Sequence, residues 1–505
     1  MTAMNQGGIH LSELLDGFAL VKPEQDTQIL GLELDSRKVQ QGDCFIAIAG
    51  TSTHGIDFIP EAMAKGAVAV LVDSEDAHLI EEDRRNVIFI DQLNRKTGEI
   101  AHRYFSEPTN LMKMFAVTGT NGKTSVSYFV AQALDSLNGR GTCGVIGTLG
   151  SGLFGEFVSS NMTTPDPIEI HRTLAQLHDQ GAKSCVIEAS SHGLSQHRLS
   201  GVDFDVAVFT NLTRDHLDYH GSMAAYGKAK LQLFESPDLQ AAVINLDDPF
   251  AEKIINTLPN EVHVIGYTLD LENRISEIPV ILCTGLDVSA SGLIMEIETE
   301  GCSSFLKTNL LGRFNASNIL ATLGALMACG IDFQNAIKAL SAVRGVPGRM
   351  EAFTQQGSPC TVVDYAHTPD GLIKALETLR EICAGQLWCV FGCGGDRDKG
   401  KRALMGEVAE RLSDQIIITN DNPRSEDPNV IASGIQSGMK EADRVQVILD
   451  RKQAIETAIR SAQPEDIVLI AGKGHENWQE IDGHRFPFND RNIVLKQLSK
   501  RGQND

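Results

Sequence analysis

The 505-residue chain is short of basic residues: Lys and Arg total 44 against 66 Asp and Glu, for a net charge of −22. Sequence-independent nucleic-acid binders and anionic-membrane binders need a basic face, so both classes are excluded. Anionic small substrates are not, because a few local cations can hold a phosphate inside an acidic protein. No stretch approaches the ~20 apolar residues of a membrane span. The opening residues, MTAMNQGGIHLSELL, have neither a basic region nor a long apolar run, so no secretory leader is expected. None of the 10 cysteines forms a C-x-x-C pair with metal spacing. The closest pair, Cys389 and Cys393, straddles a strand end, and the cysteines are expected to be buried, reduced thiols of a cytoplasmic protein.

What is present is an ordinary globular composition, 42% hydrophobic and 22% charged, at a length that suggests roughly two to four domains. Three α/β segments are expected: a small domain over 1–111, a central domain over 112–343 and a C-terminal domain over 344–505. In the first, GDCFIAI and AVAVLV read as strands and NRKTGEIAHRYF as a helix. In the second, an apolar strand, a Gly-rich turn and a helix open a strand–helix alternation that implies a parallel sheet. The stretch 279–311 alternates and reads as antiparallel strands at the sheet's edge. The third alternates regularly, as a doubly wound, Rossmann-like sheet does. Four of its strands end in polar motifs, DYAHTPD, GCGGDRDKGKR, TNDNPRSEDP and AGKGHENWQE, and ligands in such sheets bind at those ends.

The turn Gly119-Thr120-Asn121-Gly122-Lys123-Thr124 reads as a short phosphate loop. Small residues let backbone N–H groups approach phosphate, Lys123 supplies a point charge, and Thr124 can ligate Mg²⁺. Glu188, ending a buried strand, and Asp215 and His216, just after the next one, fit a metal held by oxygens and one imidazole. Lys228 and Lys230 in SMAAYGKAKLQLF read, on their own, as solvated helix lysines. NMTTPD, SSHGLSQHR and LDSRKVQQGDCFIAIAGTSTHG offer hydroxyls, amides and Arg198 to a polar, anionic substrate, although each alone reads as a turn.

The ordered set GTNGKT, EASSHGL, TNLTRDHLDYHG, NASNILA, GVPGRME, DYAHTPD and CGGDRDKGKR resembles the Mur ligase family over about residues 28–495. The family's fold implies a UDP-sugar domain, a central P-loop ATPase domain and a C-terminal Rossmann-like domain. LDSR, SSHGLSQHR, DNPR and GKGHE resemble the branch that adds the third residue of the peptidoglycan stem. The implied reaction joins UDP-N-acetylmuramoyl-L-alanyl-D-glutamate to meso-diaminopimelate with ATP and two Mg²⁺ ions, through an acyl phosphate, by a cytoplasmic monomer. By position, the resemblance gives Gly119, Thr120, Asn121, Gly122, Lys123, Thr124 and Ser125 to the ATP phosphates. It gives Asn315, Arg349 and Asp364 to the rest of the nucleotide, and Glu188 and His216 to Mg²⁺. It also reverses the bland reading of Lys230, which matches the family's carbamylated lysine, a metal ligand. Leu34, Ser36, Thr163, Thr164, Ser190, Gln196 and Arg198 match contacts to the muramoyl dipeptide. Met162 departs from the pattern, with Asn161 one place before it.

Diaminopimelate is lysine with a second carboxylate, so a site selecting it needs a planar donor fork. Arg424 is expected to supply it, with Arg397 as the second carboxylate clamp. Asp421 and Asn422 would face the distal ammonium, and Pro423, Gly472 and Glu476 complete the pocket. L-Lysine would leave Arg424 unpaired, which argues against a lysine ligase. A folylpolyglutamate synthase has no use for DNPR, and a silent nucleotide binder has none for Glu188, His216 and Lys230. Glu426 and Asp427, beyond that loop, read as acids at the start of the next helix.

Overall fold

A computed structural model describes residues 8–50, 53–80, 86–160, 162–275 and 277–501; Asn161 lies outside them. Packing groups the chain into two compact units: Met1–Leu282 with Thr299–Cys302 and Ser317–Leu340, and Cys283–Glu298 with Ser303–Ala316 and Ser341–Asp505. The expected division after residue 343 falls close to a unit boundary. The one after residue 111 does not separate units.

In the first unit, β1 (Ile9–His10) and β2 (Gln28–Ile29) pair antiparallel. β3 (Gly31–Glu33), β4 (Asp43–Ala47), β5 (Ala69–Asp73) and β6 (Val87–Ile90) form a parallel sheet in that order. The next strands are β7 (Lys113–Thr118), β8 (Cys143–Gly147), β9 (Gly150–Leu153), β10 (Ser184–Glu188), β11 (Val206–Phe209), β12 (Ala241–Asn245), β13 (His263–Thr268) and β14 (Val280–Ser289). Their order is β9-β8-β10-β7-β11-β12-β13-β14, parallel except at β8–β9. Apart from Lys113, every residue of β7, β10 and β11 is buried, as a sheet covered by crossover helices requires.

Two contacts tie the segments on either side of residue 111 together within the first unit. Arg172, on the helix Pro167–Asp179, donates to the Leu32 carbonyl (3.0 Å) and to Glu33 of β3 (2.8 Å). Gly98, on the helix Leu93–Tyr104, lies so close to the loop after residue 199 that a Cβ there would meet the Ser200 oxygen at 1.9 Å. Only glycine permits that approach.

In the second unit, β15 (Gly292–Thr299) follows β14 through a two-residue turn, and β16 (Cys302–Thr308) follows β15. The C-terminal sheet has the order β17 (Glu351–Phe353), β18 (Cys360–Asp364), β22 (Ile467–Ala471), β19 (Leu387–Phe391), β20 (Gln415–Ile418), β21 (Gln446–Val447), with only β17 antiparallel. Alternate residues feed two cores: Val362, Cys389 and Leu469 on one face, Val363, Val390 and Val468 on the other. A hairpin, β23 (Trp478–Ile481) and β24 (His484–Pro487), follows.

All ten cysteines are free thiols, and Cys302, at the start of β16, is the exposed one, against the expectation of uniform burial. No helix among the described residues is long and apolar enough to cross a membrane.

Arg451 is fully buried and forms two bonds to Asp490, 2.8 and 2.7 Å long. It also donates to the carbonyls of Asn420 (3.2 Å) and Ala471 (3.0 Å). Removing one partner of such a pair leaves an uncompensated charge in the core. Asp490→Ala is therefore expected to cost about 3–5 kcal/mol by urea denaturation. The exposed pair Lys374–Asp370 provides the contrast: Asp370→Ala should change stability by less than about 1 kcal/mol.

Candidate active site

β7 ends in the phosphate loop, where Gly119 and Gly122 take φ of +151° and +88°, and the helix Lys123–Asn138 begins directly after it. The loop is laced to the segment following β11. The Thr120 N–H donates to the Asn211 carbonyl (2.8 Å), and the Asn121 N–H to the Asn211 side chain (2.9 Å). Lys123 folds back over the loop, with Nζ on the Gly119 and Thr120 carbonyls, both at 2.9 Å. Ser125 lies in the helix's first turn.

Thr124 Oγ1 donates to Glu188 Oε2 (2.8 Å), and the same carboxylate accepts from the Thr148 N–H (2.8 Å) and hydroxyl (3.1 Å). The sequence reading placed Glu188 and His216 on neighbouring strands. Instead β10 and β11 flank β7 on opposite sides, and the His216 ring packs 4.8 Å from that of His192, on the short helix that follows β10. His216 has a left-handed backbone (φ +52°) and stands edge-on to Tyr226, with ring centroids 6.2 Å apart.

Lys230 is not solvated. It is 1% exposed, whereas Lys228 on the same helix is exposed. Its Nζ donates to the Gly119 carbonyl (2.8 Å) and lies 4.5 Å from the Tyr226 ring centroid. Burial, and then the charge of Lys123, hold its amine well below the ordinary lysine range; Asp215 opposes this. The helix Met223–Leu231 thus delivers to the phosphate loop a buried primary amine whose environment disfavours the charged form. Isolated sequence could not show this, because Lys228 and Lys230 stand two apart in the same helix with nothing in the letters to say which one faces inward.

The residues matched to the dipeptide substrate gather partly. Thr164 Oγ1 donates to the Glu188 carbonyl (2.7 Å) and contacts Ser190 Oγ (2.9 Å). Arg198 donates to the Thr164 carbonyl (2.7 Å) and to Gln196 Oε1 (2.6 and 3.0 Å). Thr163 contacts Thr148 (3.1 Å). Ser36 is engaged elsewhere, donating to Glu61 (2.7 Å), and Leu34 is half-buried beyond the end of β3. The cavity of about 390 Å³ lined by Leu30, Tyr104, Phe105, Arg172 and His178 includes none of the expected site residues.

In the second unit, Asn315 donates to the Leu311 carbonyl (2.8 Å). Asp364 accepts the N–H groups of Met350 (2.7 Å) and Ala366 (2.8 Å), and burial pushes its carboxyl up. Arg349 lies over the Tyr365 ring (5.3 Å), and its buried Nε has no partner, which suits a residue awaiting an anion.

Arg424 follows β20 with φ +52°. Its backbone bonds to the hairpin, through its N–H to the Glu480 carbonyl (3.1 Å) and its carbonyl to the Asp482 N–H (2.8 Å). Its guanidinium donates to the Gly395 carbonyl (2.7 Å) and approaches Glu480 at 3.4 Å. The Pro423 carbonyl sits where a Cβ on Gly395 would be, 1.9 Å away, so the glycines of GCGGD admit this loop. Arg397 is exposed.

The Asn422 amide bonds within the loop, Nδ2 to Glu476 (3.0 Å) and Oδ1 to Lys473 (2.9 Å) and the Glu480 N–H (3.0 Å), which fastens the loop and leaves one Nδ2 hydrogen to offer. Glu426 differs from expectation. Rather than serving the helix dipole, it binds Arg402 twice (2.9 and 3.0 Å) and the Asp396 N–H (2.6 Å), and the guanidinium holds its carboxyl down to about 2. Asp427 caps the helix Pro428–Gln436 as expected.

Comparison with known proteins fits this architecture. Three family profiles match: the Mur ligase family catalytic domain over 28–105, the Mur ligase middle domain over 117–326 and the Mur ligase glutamate ligase domain over 348–474. The UDP-N-acetylmuramoyl-L-alanyl-D-glutamate–2,6-diaminopimelate ligase of Coxiella burnetii is 46% identical over 97% of this chain and all of its own length. The enzyme of the same description from Pseudomonas aeruginosa is 45% identical over 92% of this chain and 94% of its own. A solved structure of a ligase so described superposes with a TM-score of 0.74 at 37% identity, covering 98% of this chain and 99% of that one. A folylpolyglutamate synthase from Mycobacterium tuberculosis, 21% identical with a TM-score of 0.57 over 75% of this chain and 92% of its own, shares the fold alone.

Lys230 gives a test independent of activity. The unfolded chain protonates this amine up to the ordinary lysine range while the folded chain does not. In bicarbonate-free buffer stability should therefore rise with pH across the alkaline window below about 10.4. Lys230→Met should flatten that rise and leave the protein as stable or more stable at pH 7. Urea midpoints of the two proteins from pH 7 to 10 decide it. Parallel curves would show that Lys230 stays charged.

Proposed function

We infer, because the chain belongs to the Mur ligase family, that it is the ATP-dependent ligase joining meso-diaminopimelate to UDP-N-acetylmuramoyl-L-alanyl-D-glutamate in peptidoglycan biosynthesis. The observation that carries this reading is the 46% identity to a ligase of that description over 97% of the chain. The placement of Arg424 in a cleft of carboxylates supports it.

A free carboxylate is a poor acylating agent, so the D-glutamyl carboxylate must first take the γ-phosphoryl group of ATP. The incoming amine then attacks the acyl phosphate carbon, the amide forms, phosphate leaves and the amine's proton is lost. In this reading the N–H groups of Gly119–Thr124 and the charge of Lys123 hold the phosphates. Arg198, oriented by Gln196 and Thr164, holds the anionic muramoyl dipeptide. Arg349, with its buried unpaired Nε, takes a nucleotide phosphate, while Asn315 and Asp364 face the remainder of the nucleotide.

Thr124, Glu188, His216 and Lys230 would hold Mg²⁺. The donor set fits: the Thr124 hydroxyl already lies on the Glu188 carboxylate, and oxygen with one imidazole suits that ion. Bound there, the metal supplies charge neutralisation on the transferring phosphoryl group. Mg²⁺ takes few protein carboxylates beside substrate phosphates and water, and a further anion would strengthen the site. Lys230 can become one. Its neutral amine attacks CO₂, the N–C bond forms, one proton leaves, and the product is a carbamate.

Phosphate release measured with the UDP-muramoyl dipeptide and ATP should depend on diaminopimelate and be near background with lysine or no acceptor. Equal rates with all three would refute the assignment. Arg424→Ala should lower kcat/KM for diaminopimelate at least about 100-fold, towards the ~10⁴ seen when a hydrogen-bonding site loses its partner, with the KM for ATP little changed. Lys230→Ala should be nearly inactive and partly rescued by short carboxylic acids. A mutant indifferent to them would rule out the carbamate.

A further inference from the structure

Lys473, within AGKGHE, was not among the expected site residues. Its side chain is completely buried, yet it lies at the carboxyl end of β22, among the groups that would face the amino-acid substrate. The loop that carries it is shaped by Gly472 (φ +117°), where a Cβ would meet Asp421 Oδ2 at 2.6 Å. Lys473 Nζ donates to Asn422 Oδ1 (2.9 Å) and Glu476 Oε2 (2.6 Å) and lies 5.3 Å from the Trp478 ring centroid.

The choice of oxygen matters. Lys473 and Asn422 Nδ2 both use Glu476 Oε2. Glu476 Oε1 and the Asp421 carboxylate accept no hydrogen bond within the described residues. Those acceptors are left for an ammonium. The cleft's charges are Asp421, Glu476 and Glu480 against Arg424 and Lys473; the buried Arg451, which also acts on Asp421 and Glu476, is offset by Asp490. With Lys473 present, one carboxylate is offset internally. The remainder suits a chain end carrying both an ammonium and a carboxylate. Without it, the same cleft is more anionic and suits a plain cation.

We propose that Lys473 is a positioning residue that sets specificity: it fixes Asn422 and Glu476 and tunes the cleft's charge to a zwitterionic chain end instead of a simple ammonium. This rests on the ligase reading above.

The test compares wild type with Lys473→Gln, which keeps one donor and loses the charge, Lys473→Met, which loses both, and Lys473→Arg, which keeps the charge. In Lys473→Gln and Lys473→Met the KM for diaminopimelate should rise about tenfold or more, with kcat and the KM for ATP changed less than about threefold. The lysine-to-diaminopimelate ratio of kcat/KM should rise about tenfold. Lys473→Arg should recover part of both, and Trp478 emission should change in the neutral variants. Thermal melting identifies a variant that has not folded, and Lys473→Gln decides the matter if Lys473→Met has not. A folded Lys473→Gln with an unchanged substrate ratio overturns the proposal while leaving the ligase reading intact. A wild type inert towards diaminopimelate overturns both.

Discussion

The Arg451–Asp490 pair is the constraint on which the C-terminal cleft depends. A guanidinium fully buried in a sheet protein is tolerated only if each donor is used, and here the unused ones go to the carbonyls of Asn420 and Ala471. Those carbonyls lie just beyond the ends of β20 and β22, immediately before Asp421 and Gly472. One ion pair between the starts of two helices therefore spaces the two loops that carry Asp421, Asn422, Arg424, Lys473 and Glu476. The hairpin then pins Arg424 from the other side by two backbone bonds. The Asp421–Arg424 loop is thus held at both ends, by the buried ion pair and by the hairpin.

The phosphate loop is organised on a different principle. Its strand sits between β10 and β11, so residues ending the two flanking strands approach it from opposite sides. Burying Lys230 against that loop costs stability, since desolvation and the nearby charge of Lys123 both disfavour its ammonium form. The Gly119 carbonyl and the Tyr226 ring offset part of this.

Much of the architecture was legible. Strand–turn–helix order, buried apolar runs and Gly-rich turns gave the parallel sheets, the phosphate loop and the four motif-bearing strand ends, because these follow from local periodicity. The packing of the first two segments into one unit was not legible, since Gly98 against Ser200 and Arg172 on β3 are contacts across long separations. Strand order was also hidden, so Glu188 and His216 were placed side by side. The fate of single charged residues was the least legible. Letters do not show that Lys230 points inward and Lys228 outward, nor that Glu426 belongs to Arg402. They do not show that the Asn422 amide is already tied to Glu476, Lys473 and the Glu480 N–H. Lys473 carried a faint signal, a lysine between two glycines at the end of a buried strand.

The placement of charge in the cleft explains how an acidic protein can select an acidic amino acid. A net charge of −22 would repel a substrate carboxylate if spread uniformly, but the field at a site is set by its nearest groups. Arg424 is kept from pairing fully by geometry: Glu480 reaches only to 3.4 Å, and its strongest bond is to a backbone carbonyl. A guanidinium held by a neutral acceptor keeps more of its field than one in a bidentate ion pair. Arg402 illustrates the opposite case, since Glu426 takes both of its terminal nitrogens and offsets its charge. Two arginines near one cleft therefore divide the work. One is neutralised to lock the loop, and the other stays under-neutralised, which is the condition for recognising a second carboxylate.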